Sequence, residues 1–501
     1  MNRLVPCRPG LPKGWLSGLG LGLLLGLTTN SAPAAVAQVP LFLSTGVEPN
    51  VLFNMSIETP MGGAAYNDQA DGGSCKGRID YEKKGVVGVC YFPAESYLGY
   101  FDPNKCYSYN NDGGYFQPDG DASNHECSEK FSGNFMNWAT MTAMDMFVWT
   151  MTGGNRIDDG ADGLTVVKRT RKHDNDGWFQ PKLITKSQNV APSTVTPWDS
   201  KEIYIYNTSP SGVKFGTTWG GSDLGTMNVN IRVCDKEKTL EANCVAYDNG
   251  KYYKPEGLVQ KNADHMRFGV TSYSNSDKQD AKNGGVLRSN IKYVGTLMPD
   301  GNGGTKDNAN KEIGADGTII LNSNPYDAAA SKVTQSGVIP YLNKFSDASY
   351  KAHDPASELF YESVRYFKNL GPTPEYLDEA NGGFPILGKD KNSWQDPITQ
   401  RCQKNFIIGI NDANPWKDKK LPGTFFTDSK VNGKDIDALD IGEPSNPDPD
   451  IDVRSLTNKV GDLEKLTGTS QCIGCTANKC DLAANKKTIT KLGEVIDRKS
   501  V

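Results

Sequence analysis

Polar side chains follow two apolar runs of the sequence, at places where a folded chain could bind a ligand. Ser56 and Glu58 come after the run at 51–53, and Asp412 comes after the run at 405–410. Open α/β sheets bind ligands outside the carboxyl ends of their strands, so a carboxylate just beyond a buried parallel strand lies where such a ligand would sit. The sequence therefore predicts that two strand ends converge on one ligand-binding edge.

Three motifs that could carry catalysis are incomplete. Residues 383–389 spell most of a phosphate-binding loop, but Asp390 stands where a serine or threonine must reach Mg²⁺. His125 and Glu126 open a zinc-protease pattern, but Glu129 replaces its second histidine. The sequence contains no G-x-S-x-G elbow, so serine hydrolase chemistry has no visible starting point. We therefore expect a non-enzymatic protein, and a secreted hydrolase is the least favoured class.

A second acidic run, at 448–452, resembles the start of a calcium-binding EF-hand loop. Val453 replaces the turn glycine of that loop and Lys459 replaces its closing glutamate. We therefore do not expect an ion there.

The first 37 residues are typical of a secretory signal peptide. A basic start leads into an apolar core of about 13 residues, from Trp15 to Leu27, whereas a membrane span needs ~20. Ala35-Val36-Ala37 then has the form of a cleavage site before Gln38. We expect export through the inner membrane and removal of residues 1–37.

The charge balance argues against a nucleic-acid partner. The whole chain carries a formal charge of −5, and residues 1–37 hold three basic residues and no acidic one, so the exported chain is near −8. A mildly acidic surface of this kind does not attract a phosphate backbone.

Cysteine usage also fits an exported protein. Of eleven cysteines, Cys7 lies in the signal segment, so ten remain, and an oxidising compartment favours disulfides. Each local pair would close a short loop and stabilise the fold by roughly 3 kcal/mol. The group at 472, 475 and 480 could instead bind zinc, but it has no histidine nearby. The local pairs are Cys75 with Cys90, Cys106 with Cys127, and Cys234 with Cys244.

The elements that must position the strand-end residues begin with a buried strand around 51–53. From Tyr66 to Cys127, tyrosine, glycine and cysteine dominate without periodicity, so we expect an insertion at about 62–130 that disulfides rather than a core hold together. Its aromatic residues predict either a contact surface or side chains that pack over glycine-rich loops. From Phe131 the apolar spacing predicts one amphipathic helix of about four turns, which ends at 150–154.

A second insertion, at about 155–265, alternates strand-like runs with turns and ends on a core strand near 266–273. Asp354 and Pro355 predict the cap and first turn of a helix that runs to Phe367. The run at 405–410 predicts the second buried strand. Residues 471–501 form a polar tail that contains cysteines.

Three blocks of sequence carry a resemblance to a known family. They are 39–53 (V-P-L-F-L-S-T-G-V-E-P-N-V-L-F), 131–142 (F-S-G-N-F-M-N-W-A-T-M-T) and 359–367 (L-F-Y-E-S-V-R-Y-F). In this order they resemble the PilY/PilC family of type IV pilus tip-associated adhesins, from about residue 39 to the end. The strand at 51–53 and the five residues from Ser56 resemble the first strand and metal loop of a von Willebrand A domain.

The resemblance implies an α/β fold with a von Willebrand A-like (Rossmann-like) central sheet over residues 38–470 and large disulfide-rich and β-rich insertions. It implies a place in the periplasm, on the outer membrane surface or at the pilus tip. The implied partners are the type IV pilus and its minor pilins, and a host or abiotic surface receptor. Fuller members of the family continue into a β-propeller with a calcium loop, and we expect this chain to end before it.

The metal site of the von Willebrand A fold can be carried over one position at a time. That fold has aspartate, serine and serine at positions 56, 58 and 60, a threonine at the helix start and an aspartate after the central strand. Here these positions hold Ser56, Glu58, Pro60, Asp354 and Asp412, so one of the five matches. Glu58 and Asp354 place carboxylates where hydroxyls are expected.

Two interpretations of this set stay open. Ser56, Glu58, Asp354 and Asp412 could form a rearranged site for Ca²⁺ or Mg²⁺, since both ions prefer hard oxygen ligands. Alternatively, the loop keeps the fold without an ion, and Asp354 only caps its helix.

We therefore predict a pilus-associated adhesin, or a factor that modulates pilus assembly and retraction, acting by binding proteins or surfaces. The alternative is a free secreted von Willebrand A-type binding module that is not attached to pili. A location that depends on pilin would separate these two functions.

Overall fold

The computed structural model describes most of the chain after residue 46. The described residues are 47–66, 91–160, 163–174, 178–186, 190–273, 284–302, 304–348, 350–351, 355–377, 382–389, 393–411, 420–424, 430–431, 434–435, 442–472 and 486–493. The predicted signal segment, Cys75, Cys90 and the metal candidates Asp354 and Asp412 lie outside these ranges.

Short strands outnumber helices in the described residues. In chain order the strands are β1 (Asn50–Met55), β2 (Lys105–Asn110), β3 (Tyr115–Asp121), β4 (Phe131–Ser132), β5 (Asn155–Asp159), β6 (Thr165–Lys168), β7 (Lys182–Thr185), β8 (Glu202–Thr208), β9 (Gly212–Gly216), β10 (Gly225–Asn228), β11 (Asn230–Arg232), β12 (Cys244–Tyr247), β13 (Tyr252–Pro255), β14 (Arg267–Tyr273), β15 (Gly285–Lys292), β16 (Leu297–Pro299), β17 (Thr305–Asp307), β18 (Asn405–Ile410), β19 (Lys430–Val431), β20 (Lys434–Asp435), β21 (Ser470–Cys472) and β22 (Lys486–Thr488). The α-helices are α1 (Gly133–Thr140), α2 (Ala143–Thr152), α3 (Leu258–Lys261), α4 (Pro325–Ala330), α5 (Val338–Asn343), α6 (Ala356–Phe367) and α7 (Val453–Leu463). Within these ranges every helix is too short or too polar to cross a membrane.

The central sheet has four strands in the order β15-β14-β1-β18. β1 is parallel to both neighbours, with Phe53 opposite Val270 on β14 and Ile408 on β18, whereas β15 is antiparallel to β14. All six residues of β1 are buried, as expected for a central parallel strand. The buried strand predicted from the run at 51–53 is confirmed. A strand also forms at 405–410, but the expectation that it is buried is wrong, because β18 lies at the edge of the sheet and Phe406 and Ile408 are 46% and 39% exposed.

Helices cover both faces of the central sheet. On one face Phe53 contacts Phe147 of α2 edge-on at a centroid distance of 6.2 Å, and α5 joins the same core. On the other face α6 is fixed by polar contacts, because the side-chain amide of Asn54 donates to the carbonyl of Leu359 (3.1 Å) and to Ser363 Oγ (2.8 Å). Full burial of a large apolar side chain such as Phe53 contributes about 1.5–3 kcal/mol. This layering confirms the predicted α/β class.

The prediction of one long helix after Phe131 is wrong, because the chain breaks at Met141, where the backbone is extended. Thr142 starts α2 with a reciprocal cap: Thr142 Oγ1 accepts from Asp145 N (3.0 Å), and the Asp145 carboxylate accepts from Thr142 N (2.8 Å). Gly153, at φ 79°, ends α2 in the left-handed conformation, so the predicted stop is confirmed.

The two predicted insertions share one six-stranded sheet, in the order β4-β2-β3-β11-β6-β5. Tyr91, Tyr97, Tyr100 and Tyr107 are each at most 3% exposed and belong to one apolar core with this sheet. The expectation that disulfides rather than a core hold the first insertion is therefore wrong for residues 91–127. The idea of a tyrosine contact surface is also wrong for these four residues, which pack inside.

A second antiparallel sheet, β10-β9-β8-β7, packs into the same core. α1 is buried along its whole length, and the ring of Phe131, just before it, lies 5.6 Å from the ring of Phe215 on β9. Lys182 of β7 donates to the carbonyl of Trp138, and its ammonium lies 4.6 Å from the centre of the Trp138 rings. Cation–π contact and a backbone acceptor thus accommodate a buried charge.

Two of the predicted disulfides are confirmed, Cys106–Cys127 and Cys234–Cys244. The loop that the second disulfide closes is joined to β2 by a buried ion pair, in which Lys105 Nζ lies 2.7 Å from Glu241 Oε1. Glu241 also accepts from the backbone N of Cys234 at 2.7 Å. The Lys105–Glu241 ion pair and the Cys234–Cys244 disulfide therefore stabilise the same corner of the six-stranded sheet.

Candidate functional site

The ends of β1 and β18 lie side by side, as the sequence predicts. Met55 is paired with Ile410 in parallel register, and the backbone N of Ser56 donates to the Ile410 carbonyl at 2.9 Å. The residues after both strands therefore leave the sheet at the same carboxyl edge, where open α/β sheets bind ligands.

Ser56 and Glu58 are brought into direct contact at this edge. The Ser56 hydroxyl donates to Glu58 Oε1 at 3.0 Å and lies 2.8 Å from the hydroxyl of Tyr273, at the end of β14. Ser56 is fully buried and Glu58 is 2% exposed, so the network is sealed from solvent. Asp354 and Asp412, the other two predicted ligands, lie outside the described residues.

Lys351 also lies at this edge, although nothing in the sequence predicts it there. It forms a parallel backbone bridge with Glu58: Lys351 N donates to the Ile57 carbonyl (2.8 Å), and Thr59 N donates to the Lys351 carbonyl (2.9 Å). The Lys351 side chain is fully buried, and its ammonium lies 4.8 Å from the centre of the Tyr273 ring. A lysine carries no ion-ligand signal in a sequence, and Tyr273 is a strand residue like many others.

These contacts bear on the predicted ion. The Glu58 carboxylate is a hard oxygen donor of the kind that Ca²⁺ and Mg²⁺ prefer. However, Glu58 Oε1 already accepts a hydrogen bond from Ser56, and the Lys351 ammonium is buried against the Tyr273 ring, whose hydroxyl contacts Ser56. Ser56 and Glu58, the two predicted ligands that the structure describes, are thus hydrogen-bonded to each other. The ion stays a prediction.

One other group of potential ligands is present among the described residues, formed by Cys234, Glu241 and Cys244. The two sulfurs are joined in a disulfide and Glu241 is paired with Lys105, so this group is structural. The EF-hand-like run is also structural. Lys368 contacts Asp448 (2.6 Å) and Asp450 (2.9 Å), and the Asp452 carboxylate caps α7 by accepting from Ser455 N (2.7 Å).

The fragments of catalytic motifs have structural roles as well. His125 lies in a turn at φ 64° and contacts the Pro93 carbonyl through Nδ1 at 2.8 Å, whereas a zinc-protease histidine needs a helix. In the phosphate-loop-like segment, Phe384, Ile386 and Leu387 are buried apolar residues, and Leu387 bridges to Leu287 of β15. The described residues of both segments therefore help to build the fold.

Comparison with known proteins gives two family matches. Residues 88–227 match the model described as "PilY1 homolog, small alpha/beta domain", and residues 268–496 match "PilY1 homolog, second domain". Two curated relatives from Xylella fastidiosa (strain Temecula1) are each described as "Type IV pilus biogenesis factor PilY1 homolog".

The first relative is 35% identical over 389 residues, which cover 66% of this chain and 31% of the relative. The second is 24% identical over 514 aligned residues, which cover 86% of this chain and 32% of the relative. The chain thus spans about a third of the length of the curated relatives that it matches. No solved structure matches it.

Proposed function

We propose that the chain acts in type IV pilus biogenesis by binding rather than by catalysis, because two of its regions match PilY1-homolog domains and its curated relatives are PilY1 homologs. The observation that carries the proposal is the sequence match, because both relatives are described as pilus biogenesis factors. The geometry supports binding, since the polar residues of the carboxyl edge hydrogen-bond to each other and the described fragments of catalytic motifs are structural.

The proposal extends to location and architecture. Two disulfides support a site of action outside the cytoplasm, in the periplasm, on the outer membrane surface or on the pilus, because such bonds persist in oxidising compartments. The parallel strands β18, β1 and β14, with helices on both faces, support a von Willebrand A-like centre over residues 38–470. The partners are the pilus with its minor pilins and, for an adhesin, a host or abiotic surface receptor.

Location provides the first test. We would measure the protein, at its natural length, by immunoblot in sheared pili and in periplasm, comparing normal cells with cells that lack the major pilin. The pilus function predicts that the protein enters the sheared fraction only when pilin is present. A location that ignores pilin would refute it and favour a free secreted binding module.

A second experiment separates assembly from adhesion. In cells that lack the protein, a loss of surface pilin that removal of the retraction motor restores would indicate a factor that opposes retraction. A loss that it does not restore would indicate a requirement in assembly. Normal pilin with weakened attachment would indicate an adhesin, and normal pilin with normal attachment would contradict the proposal.

A further inference from the structure

An open cleft of about 710 Å³ lies where residues of the two matched domains meet. Asn155 and Arg156 of β5 come from the region that matches the small α/β domain. Leu321, Asn343 and Phe384 come from the region that matches the second domain. Ligand sites occur preferentially at such junctions.

Asn343, the last residue of α5, offers a fixed hydrogen-bond donor to the cleft. Its carbonyl oxygen accepts from Thr152 Oγ1 at 2.6 Å, a contact that crosses from one matched region to the other. The residue is only 7% exposed, yet its amide nitrogen has no hydrogen-bond partner in the part of the chain that the structure describes. A side chain that is held at one end and has a free donor at the other can donate to a ligand in the cleft.

Asn155 offers the complementary group. Its amide nitrogen donates to Ser346 Oγ at 2.8 Å, again across the junction, and Ser346 is 1% exposed. Its carbonyl oxygen accepts no hydrogen bond from the described residues. The two asparagines therefore present one donor and one acceptor to the cleft, each oriented by a buried contact.

The charges that line the cleft are already paired. The Arg156 guanidinium contacts Asp159 (3.2 Å) and donates to the carbonyls of Gly317 and Pro255 (both 2.6 Å). Asp347 is paired with Lys168 at 2.6 Å. Lys344 lies over the Tyr341, Phe345 and Phe384 rings of its own core, with the nearest centroid at 5.1 Å. These pairings favour an uncharged ligand.

The apolar surface of the cleft favours a peptide over a sugar as its ligand. A saccharide stacks on an exposed aromatic face, but Phe384, the aromatic residue among the described lining, is 4% exposed and packs edge-on against Tyr341 at 5.2 Å. Leu321 is instead 56% exposed and offers an aliphatic contact. A peptide group supplies the one acceptor and the one donor that the two asparagines require.

We propose that this cleft binds an extended, uncharged polypeptide segment. A backbone carbonyl of the segment accepts from the Asn343 amide nitrogen, a backbone N–H donates to the Asn155 carbonyl, and an apolar side chain of the segment packs on Leu321. The proposal does not depend on the pilus function, because it concerns peptide binding by the isolated chain.

The test uses a phage-displayed library of random 12-residue peptides, panned against the full chain. Synthetic copies of the enriched peptides are then measured by fluorescence polarisation against the wild type and the Asn343→Asp variant. Asn343→Asp keeps the oxygen that Thr152 contacts and replaces the donor by a second acceptor, so we expect binding at least tenfold weaker. Asn228→Asp, on the exposed surface of β10, is the matched control and should bind like the wild type.

Leu321→Ser is a second variant, at an exposed position that folding does not require, and we expect it to weaken binding several-fold. It keeps the test decisive if Asn343→Asp fails to fold. The proposal is overturned if panning enriches no peptide, if the enriched peptides share a charged motif, or if they bind Leu321→Ser and a folded Asn343→Asp as tightly as the wild type.

Discussion

Replacing Glu362 by glutamine tests whether α6 carries a carboxyl group that stays protonated in the folded protein. The side chain is fully buried, and Thr373 donates to it through its backbone N (3.2 Å) and its hydroxyl (2.8 Å). Burial outweighs these hydrogen bonds and the nearby Arg365 guanidinium, and raises the pKa of Glu362 from 4.5 to about 8.

The direction of the pH effect follows from this shift. Below pH 4.5 the folded and the unfolded chain both hold the proton, so the contribution of Glu362 to stability is fully present. As the pH rises toward 8, the unfolded carboxyl loses its proton while the folded one keeps it, and the free energy of unfolding falls. The slope is about 1.4 kcal/mol per pH unit, or about 5 kcal/mol over the window. Glutamine is neutral and cannot show this loss.

The assay is urea unfolding of the wild type and Glu362→Gln at pH 5, 6, 7 and 8, with hydrogen exchange of the α6 amides as a local readout. We expect the wild type to lose stability relative to the variant as the pH rises. Glu95→Gln, at an exposed position, is the matched control and should follow the wild type. Parallel pH profiles for the wild type and Glu362→Gln would refute the reasoning.

Three further predictions address the cap, a disulfide and the ion. Thr142→Ala removes the cap of α2 and should lower the free energy of unfolding by about 1–2 kcal/mol, measured by thermal unfolding. Thr150→Ala, at an exposed position of the same helix, is the control and should change that free energy by less than about 0.5 kcal/mol. Equal losses for the two variants would contradict the capping role. Replacing Cys106 and Cys127 by serine should lower the unfolding free energy by roughly 3 kcal/mol, and an unchanged urea midpoint would argue against a stabilising link. Calorimetric titration with Ca²⁺ and Mg²⁺ tests the ion: heat that Glu58→Gln abolishes supports the predicted site, and no heat from the wild type refutes it.

The sequence predicts the positions of two parallel strands of the central sheet, because each is a continuous apolar run that is visible locally. The runs at 51–53 and 405–410 are both apolar, but β1 is buried along its length whereas β18 lies exposed at the edge of the sheet, and a local run does not record that difference. The core around β2 and β3 was missed because its contacts join distant segments. Phe116, for example, pairs with Ile231 across parallel strands, and no local periodicity records that pairing.

The candidate edge was predicted only in part for the same reason. Ser56 and Glu58 follow a recognisable strand, so they could be placed at its end. Tyr273, which contacts Ser56, lies 217 residues after it in the chain. Lys351, which forms a backbone bridge with Glu58, lies 293 residues after it. Their residue types are not those of ion ligands, so only the folded arrangement of β1 with β14 shows that a buried lysine and tyrosine complete the network.

The block at 131–142, one of the three that carry the family resemblance, has a structural role in the folded chain. Asn137 of the buried helix α1 accepts from Phe101 N (3.1 Å) and donates to the carbonyls of Tyr97 (2.8 Å) and Phe101 (2.7 Å). Asn134 accepts from Tyr97 N at 2.7 Å. These amides satisfy the buried backbone of a loop that has no strand partner there, as a buried polar group requires. The block therefore specifies how the chain folds, and we expect binding specificity to depend on surfaces that it does not line, such as the cleft between Asn155 and Asn343.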